Sequence, residues 1–260
     1  QYVLADTTPL DVYAMEPVTL RWVSVDLTVA LDLYGRVVTA LRLTPGSTKA
    51  NDVSLLLYDM LGAPDPVHPL AEIGRHEVQV DPPVPRSELP YVCPETLVVD
   101  NGKVFISDQV KTVCARLGIS IQPGRPYTPT DKAPVERFFR TLREDLLVAL
   151  PGYKGPDIHS RGKRVEEQSY YFVPELEALI RDWVVNVYHQ RAHDGLVDEL
   201  VPGVRYTPLQ RYEAGVARAG FLSIPTHPDL ALDFLPVEWR TVQHYGVEID
   251  GLRYDGPGLD

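Results

Sequence analysis

A chain of 260 residues, 44% of them apolar, can bury a sizeable core in one large domain or in a domain with an appendage. No apolar run approaches the ~20 residues of a membrane helix, and no signal peptide opens the chain, so a membrane-embedded or exported role is not expected. With 36 acidic against 25 basic residues the net charge is −11, which predicts at most weak, non-specific DNA binding by this chain alone.

Residues 2–13 read as a first strand. From 22 to 33 apolar and polar residues alternate, with Val23, Val25, Leu27, Val29, Leu31 and Leu33 on one face. Tyr34-Gly35 makes a turn, 36–43 reads as the paired strand, and 48–61 as a short amphipathic helix. Eight of the 24 prolines fall between 62 and 94, so about 62–95 reads as a long irregular excursion. A strand at 96–99, a helix at about 107–117 and a short strand at 119–121 follow. Cys93 and Cys114 lack metal-ligand spacing and are expected as free thiols of a reducing compartment.

After a loop at 124–130, Pro134 suits the first turn of a helix. Val135, Phe138, Phe139, Leu142 and Leu146 form its buried stripe, while Glu136, Arg140 and Arg143 share the other side. A polar, basic loop at about 154–170 contains Arg161, Lys163 and Arg164. Residues 173–188 form a strong helix burying Leu176, Leu179, Ile180, Trp183, Val184 and Val187. His189 and His193 have helical spacing for a metal pair, but Gln190 stands where a zinc protease needs Glu. After Gly220 the character changes, with strand-like runs at 242–247 and 251–254.

Three carboxylates stand in distinctive settings. Asp6 follows Val3-Leu4-Ala5, Asp100 opens Asp100-Asn101-Gly102-Lys103-Val104-Phe105 behind an apolar strand, and Glu136 lies in Pro134-Val135-Glu136-Arg137-Phe138-Phe139. Thirty-five residues separate the second from the third. Singly, each reads as an ordinary polar residue, and Asp-Asn-Gly as a turn. Two acids on strands and one on a helix can converge, however, and converging acids need cations between them. Asp11, Asp26 and Asp32 fit no such pattern.

The order, spacing and wording of these acids resemble the catalytic core of DDE transposases and retroviral-type integrases. The likeness is greatest to phage Mu-type transposases and the DDE subunit of Tn7-like elements. It implies an α/β, ribonuclease H-like fold with a mixed five-stranded sheet flanked by helices. On that reading residues 1–218 form the catalytic domain, and 219–260 a linker and the first strands of a small β-barrel, in a piece of a longer protein. Asp6, Asp100 and Glu136 would bind two Mg²⁺ ions, with Mn²⁺ as a substitute. Lys132, Arg137, Arg140, Arg143, Arg161, Lys163 and Arg164 would touch DNA. The resemblance also implies cleavage at transposon ends, transfer of the 3′-OH into target DNA, and a homo-oligomer assembled on DNA. It further implies an ATPase partner for target selection and a bacterial cytoplasmic, nucleoid-associated location. Ala133 departs from the Gly that often follows the Lys in Mu-like members. Two alternatives stay open: a catalytically silent or domesticated DNA-binding or assembly module, and a ribonuclease H-type nuclease. The second expects a Glu early in the first helix, and 48–61 holds none.

Overall fold

The computed structural model describes residues 1–62, 89–100, 102–124, 132–155, 169–198, 201, 203–220, 230–235 and 238–256. Most of the proline-rich excursion, the loop before Glu136 and most of the basic loop lie outside them.

Three long strands open the chain: β1 (Tyr2–Glu16), β2 (Arg21–Asp32) and β3 (Val38–Pro45). They pair antiparallel, and β1 carries a register shift between Pro9 and Tyr13. Helix α1 (Ala50–Met60) returns the chain; Asp52 Oδ2 accepts the Lys49 N–H at 2.7 Å, satisfying a donor at the helix start. Strand β4 (Thr96–Val99) then lies parallel to β1 on its free side. Helix α2 (Asp108–Leu117), capped by Ser107 and ended by Gly118 at φ 69°, leads to β5 (Ser120–Pro123), parallel to β4. The sheet order is therefore β3-β2-β1-β4-β5, an antiparallel meander extended by two parallel strands. With helices on both faces, this is the ribonuclease H-like arrangement anticipated above.

Both faces are covered, so the one-sided alternation of β2 understates its burial: Thr28, Ala30 and Asp32 are buried beside Leu27, Val29 and Leu31. On one face Val3, Ala5, Ala30 and Ala40 pack against α1 and α2. On the other, Leu10, Val12, Leu27, Val29, Leu31 and Leu41 pack against α3 (Ala133–Asp145) and α4 (Val173–Trp183). The α3 stripe sits as anticipated, with Val135, Phe138 and Leu142 buried.

The helix anticipated to run to residue 188 changes register first. Val184–Tyr188 forms a π-helical turn, closed by His189 N–H to Val184 O at 2.8 Å. The extra residue swings Tyr188 and His189 inward and leaves Val187, expected in the core, 37% exposed.

This segment also closes the outer edge of β3. Leu43 N–H donates to Glu177 at 2.9 Å, Leu41 O accepts from Arg181 at 3.1 Å, and Val38 N–H donates to His189 Nε2 at 2.9 Å. Backbone groups that would face solvent are thereby satisfied by three side chains.

Helix α5 (Pro208–Ala219) starts on Thr207, whose hydroxyl accepts from Gln210 N–H while Gln210 accepts from Thr207 N–H. The C-terminal strands are β6 (Val247–Ile249) and β7 (Leu252–Tyr254), the first beginning later than expected at 242. Among the described residues they pair with each other alone, in a hairpin whose Leu252 and Tyr254 are exposed. Gly246 is obligatory here: its φ is 92°, and a Cβ would meet Tyr254 O at 2.1 Å. Cys93 and Cys114 are buried free thiols, and no helix among the described residues is long and apolar enough to cross a membrane.

Candidate active site

Period-two alternation sets the site. Leu4 and Asp6 project to one face of β1, and Val98 and Asp100 follow the same parity on the neighbouring chain. Leu4 pairs with Val98 and Ala5 with Val99 in the parallel ladder, so Asp100, the next residue, emerges beside Asp6. Helix α3 docks on that face by inserting Val135 against Leu4 and Val98. Apolar packing thus brings the N-terminus of α3 to the two acids.

The residue that α3 delivers there is Lys132, immediately before its first turn. Its Nζ lies 2.8 Å from Asp100 Oδ2 and 3.7 Å from Asp6 Oδ2. Asp6 Oδ1 accepts the Thr7 N–H at 2.9 Å. Burial lifts the Asp6 carboxyl above its ordinary range; the Lys132 charge and the Thr7 N–H pull it back, and the Asp100 charge adds to the rise. One ammonium therefore compensates two carboxylates. Lys132 was anticipated as a phosphate contact, and its position between the acids carried no sequence signal.

Glu136 lies one turn further along α3, its N–H bonded to Lys132 O at 3.1 Å, with its side chain exposed. Among the described residues no three His, Cys, Asp or Glu side chains gather closely enough to hold a metal ion. The structure brings Asp6 and Asp100 together and leaves Glu136 outside that pair. The donors nonetheless fit a hard divalent cation: two adjacent carboxylates already share a cationic group, and oxygen donors suit Mg²⁺ or Mn²⁺. Asp6 and Asp100 would hold it, with Glu136 completing the set.

The anticipated DNA contacts divide. Arg137 and Arg140 are exposed on α3. Arg143 instead sets its Nε 2.8 Å from Asp11 Oδ2, tying α3 to β1 within the register shift. The approach is off the N–H axis, a charge contact more than a hydrogen bond. Asp11 thereby gains a role that its sequence setting did not suggest. Arg161, Lys163 and Arg164 lie outside the described residues.

Asp32, Asp26 and His189 make structural contacts. Buried Asp32 accepts the Gly35 N–H at 2.6 Å and holds the β2–β3 turn, and Asp26 accepts the Thr48 N–H at 3.1 Å. His189 spends Nε2 on Val38, and burial pushes its pKa down to about 3, so it is a neutral acceptor whose other ring nitrogen carries the proton. A cavity of about 690 Å³ is lined by Tyr2, Asp32, Tyr34, Tyr212 and Val216. None of the three acids lines it.

Residues 4–152 match the TnsB C-terminal domain family. The Tn552 transposase of Staphylococcus aureus is 22% identical over 259 residues, covering 98% of this chain and 46% of the relative. The chain thus spans about half the length of that curated relative. Among solved structures, the catalytic core domain of BIV integrase superposes with a TM-score of 0.42 at 18% identity, covering 84% of this chain and 96% of that one. The simian T-cell lymphotropic virus intasome in complex with the PP2A regulatory subunit B56 gamma gives 0.47 at 17% identity, covering 98% and 65%. The family match takes in more than half of the residues, with Asp6, Asp100 and Glu136 all inside it, and the chain belongs to the TnsB C-terminal domain family.

Proposed function

We propose that the chain is the catalytic core of a DDE-type DNA transposase, which cleaves at transposon ends and transfers the 3′-OH into target DNA. The observation that carries this reading is the Asp6–Lys132–Asp100 cluster, with Glu136 one turn along the helix that Lys132 opens. Two Mg²⁺ ions, with Mn²⁺ as a substitute, would supply activation of the attacking oxygen and stabilisation of the leaving 3′ oxygen. Asp6 is oriented for this by the Thr7 N–H, and Asp100 by its place at the end of β4. Lys132 holds the acids in register and, released from them, has an ammonium free for a phosphate oxygen. Arg137 and Arg140 line the exposed side of α3, where a DNA backbone would lie beside Glu136. Both steps are direct displacements at phosphorus, so no Ser, Cys or Tyr nucleophile is required.

The longer Tn552 relative suggests that end recognition and assembly need regions outside this chain. The working form is then a homo-oligomer on paired transposon ends in the bacterial cytoplasm, with an ATPase partner selecting the target. Residues 1–218 would be its catalytic domain, and 219–260 the lead into a small β-barrel. A second reading, a silent assembly module on the same fold, is favoured only by the position of Glu136 outside the Asp6–Asp100 pair.

Strand transfer of a pre-cut 3′-OH end into plasmid, in Mg²⁺ or Mn²⁺, separates the two. It should use the chain extended at both ends, with and without Glu136→Gln. The proposal expects joined product that the substitution reduces by at least 10²-fold, in line with loss of electrostatic stabilisation worth about 3 kcal/mol or more. Equal product from both proteins rejects Glu136 as catalytic. No product from either, despite stable DNA binding, favours the assembly module.

A further inference from the structure

A lysine with a glutamate four residues further along a helix has a ready partner there, and Lys132 and Glu136 have that spacing. The ammonium goes elsewhere. Its Nζ crosses to the sheet and stands 2.8 Å from Asp100 Oδ2 and 3.7 Å from Asp6 Oδ2. The backbone of the residue is held in place, because the Lys132 carbonyl accepts the Val135 N–H at 3.0 Å and the Glu136 N–H at 3.1 Å. Val135, packed on Leu4 and Val98, fixes the same turn against the strands that carry the acids. Beyond that anchor the side chain is a flexible four-carbon stem, 24% exposed, so the ammonium can swing while its root stays put.

The oxygens that face Nζ are the ones a divalent ion would need. Asp6 Oδ1 accepts the Thr7 N–H at 2.9 Å, and its other oxygen, Oδ2, is the one turned to Lys132. A hard divalent ion binds carboxylate oxygens at about 2 Å. On Asp100 Oδ2 it would therefore stand within about 5 Å of Nζ, two like charges at close range on one pair of acids. The ammonium and the ion thus compete for the same oxygens. Phosphate oxygens accept charge-assisted hydrogen bonds from an ammonium as carboxylates do, and lysine binds phosphate as a mobile point charge. Arg137 and Arg140 lie exposed on α3, so a DNA backbone attracted to them brings its phosphates to the helix that Lys132 opens.

We propose that Lys132 is a displaceable cation that couples metal loading to DNA binding. Its ammonium occupies Asp6 and Asp100 until a divalent ion takes their oxygens, and then passes to a phosphate of the bound strand. This rests on the DNA-transposase reading above and makes Lys132 a positioning residue within it. Without DNA the ammonium has to be evicted into water, and metal affinity is low. With DNA the evicted ammonium finds a phosphate, so each ligand raises the affinity of the other by the same factor. Lys132 in this way partly neutralises the acids before substrate arrives, and favours loading of the site where a strand is present to be cut.

The test uses the 260-residue chain and two readouts, neither of them activity. The first is acetylation of lysines by a limiting N-hydroxysuccinimide ester, read by peptide mass spectrometry at constant ionic strength. It compares EDTA, Mg²⁺, and Mg²⁺ with duplex DNA. Lys132 should become about tenfold more reactive in Mg²⁺ and be protected again by the duplex. Lys111, ion-paired with Asp108 on α2, should keep its reactivity in Mg²⁺. The second readout is Mn²⁺ affinity, from the free-ion signal in electron paramagnetic resonance. The proteins are wild type, Lys132→Met, Lys132→Arg and Lys103→Met, the last removing an exposed charge three residues after Asp100. Without DNA, Lys132→Met should bind Mn²⁺ about tenfold more tightly than wild type, with the other two close to wild type. Duplex DNA should then raise the affinity of wild type about tenfold and that of Lys132→Met by less. Circular dichroism checks each fold, and the wild-type labelling decides alone if Lys132→Met does not fold. Mn²⁺ binding that Asp6→Asn abolishes, with Lys132 reactivity unchanged by metal, overturns the inference and leaves the transposase reading standing. So does equal Mn²⁺ affinity in Lys132→Met and wild type. A chain that binds neither Mn²⁺ nor duplex overturns both.

Discussion

Acidification should unlatch the edge of β3 through one buried imidazole. His189 is 2% exposed, and its Nε2 accepts the Val38 N–H, so protonation would both lose that bond and bury a charge. Burial, assisted by the charge of His193, lowers its pKa from the ordinary 6.5 to about 3. A folded pKa below the unfolded one means that the stabilisation is complete above 6.5 and is lost as pH falls toward 3. Between pH 7 and pH 5 a group with this shift costs about 2 kcal/mol of unfolding free energy, from the ordinary titration of the unfolded imidazole. With a urea m-value of about 3 kcal/mol/M, the midpoint should drop by roughly 0.7 M. His193, also lowered, acts in the same direction, whereas Asp6 and Asp32, both raised by burial, act in the opposite one. The informative quantity is thus the difference between wild type and His189→Gln, whose amide oxygen can accept from Val38 without titrating. Urea melts at half-unit steps should show that difference changing by about 2 kcal/mol over the interval. A difference that stays constant from pH 7 to pH 5 would refute the buried, neutral acceptor.

Two further outcomes are expected. Burial raises the folded pKa of Asp6, so its favourable contribution is complete below the unfolded value and is lost as pH rises through the folded one. Asp6→Asn, melted at pH 7 in EDTA, should be more stable than wild type; a gain of about 1 kcal/mol would appear as a rise of about 2–4 °C, and a fall in Tm would contradict the burial argument. Arg181 is 3% exposed and bonds both Leu41 O and Glu177. Arg181→Ala should therefore cost about 2–4 kcal/mol in urea unfolding, and a cost below about 0.5 kcal/mol would mean that the edge contacts contribute nothing.

Local patterning made the strands, the α3 stripe and the three acids legible, because alternation, helical spacing and short motifs are all properties of neighbouring residues. The sheet order followed only through the family resemblance. What stayed hidden depends on register. Asp11 meets Arg143 because β1 shifts register between Pro9 and Tyr13, and nothing in Pro9-Leu10-Asp11-Val12 announces that shift. Val187 and His189 exchange places because one residue is inserted into a helix whose apolar spacing looks continuous. Lys132 reads as one more basic residue near Glu136 until Val135 docks on Leu4 and Val98 and carries it between the acids. Arg36, read as the first residue of the paired strand, instead lies in the turn ahead of β3.

The latch on β3 also orders events in time. Its three side chains come from 134, 140 and 151 residues further along the chain than the backbone atoms they satisfy. While the chain emerges from the ribosome, β1 to β3 can pair at once, but the outer rim of β3 stays an open template until α4 and the π-helical turn arrive. Closure over such sequence distances is slow, and open rims recruit other strands in the interval. A fragment cut at residue 152, the limit of the family match, would keep all three acids and still present that rim, together with the apolar face that α4 covers. Its aggregation would report the missing cover rather than any fault in the catalytic residues.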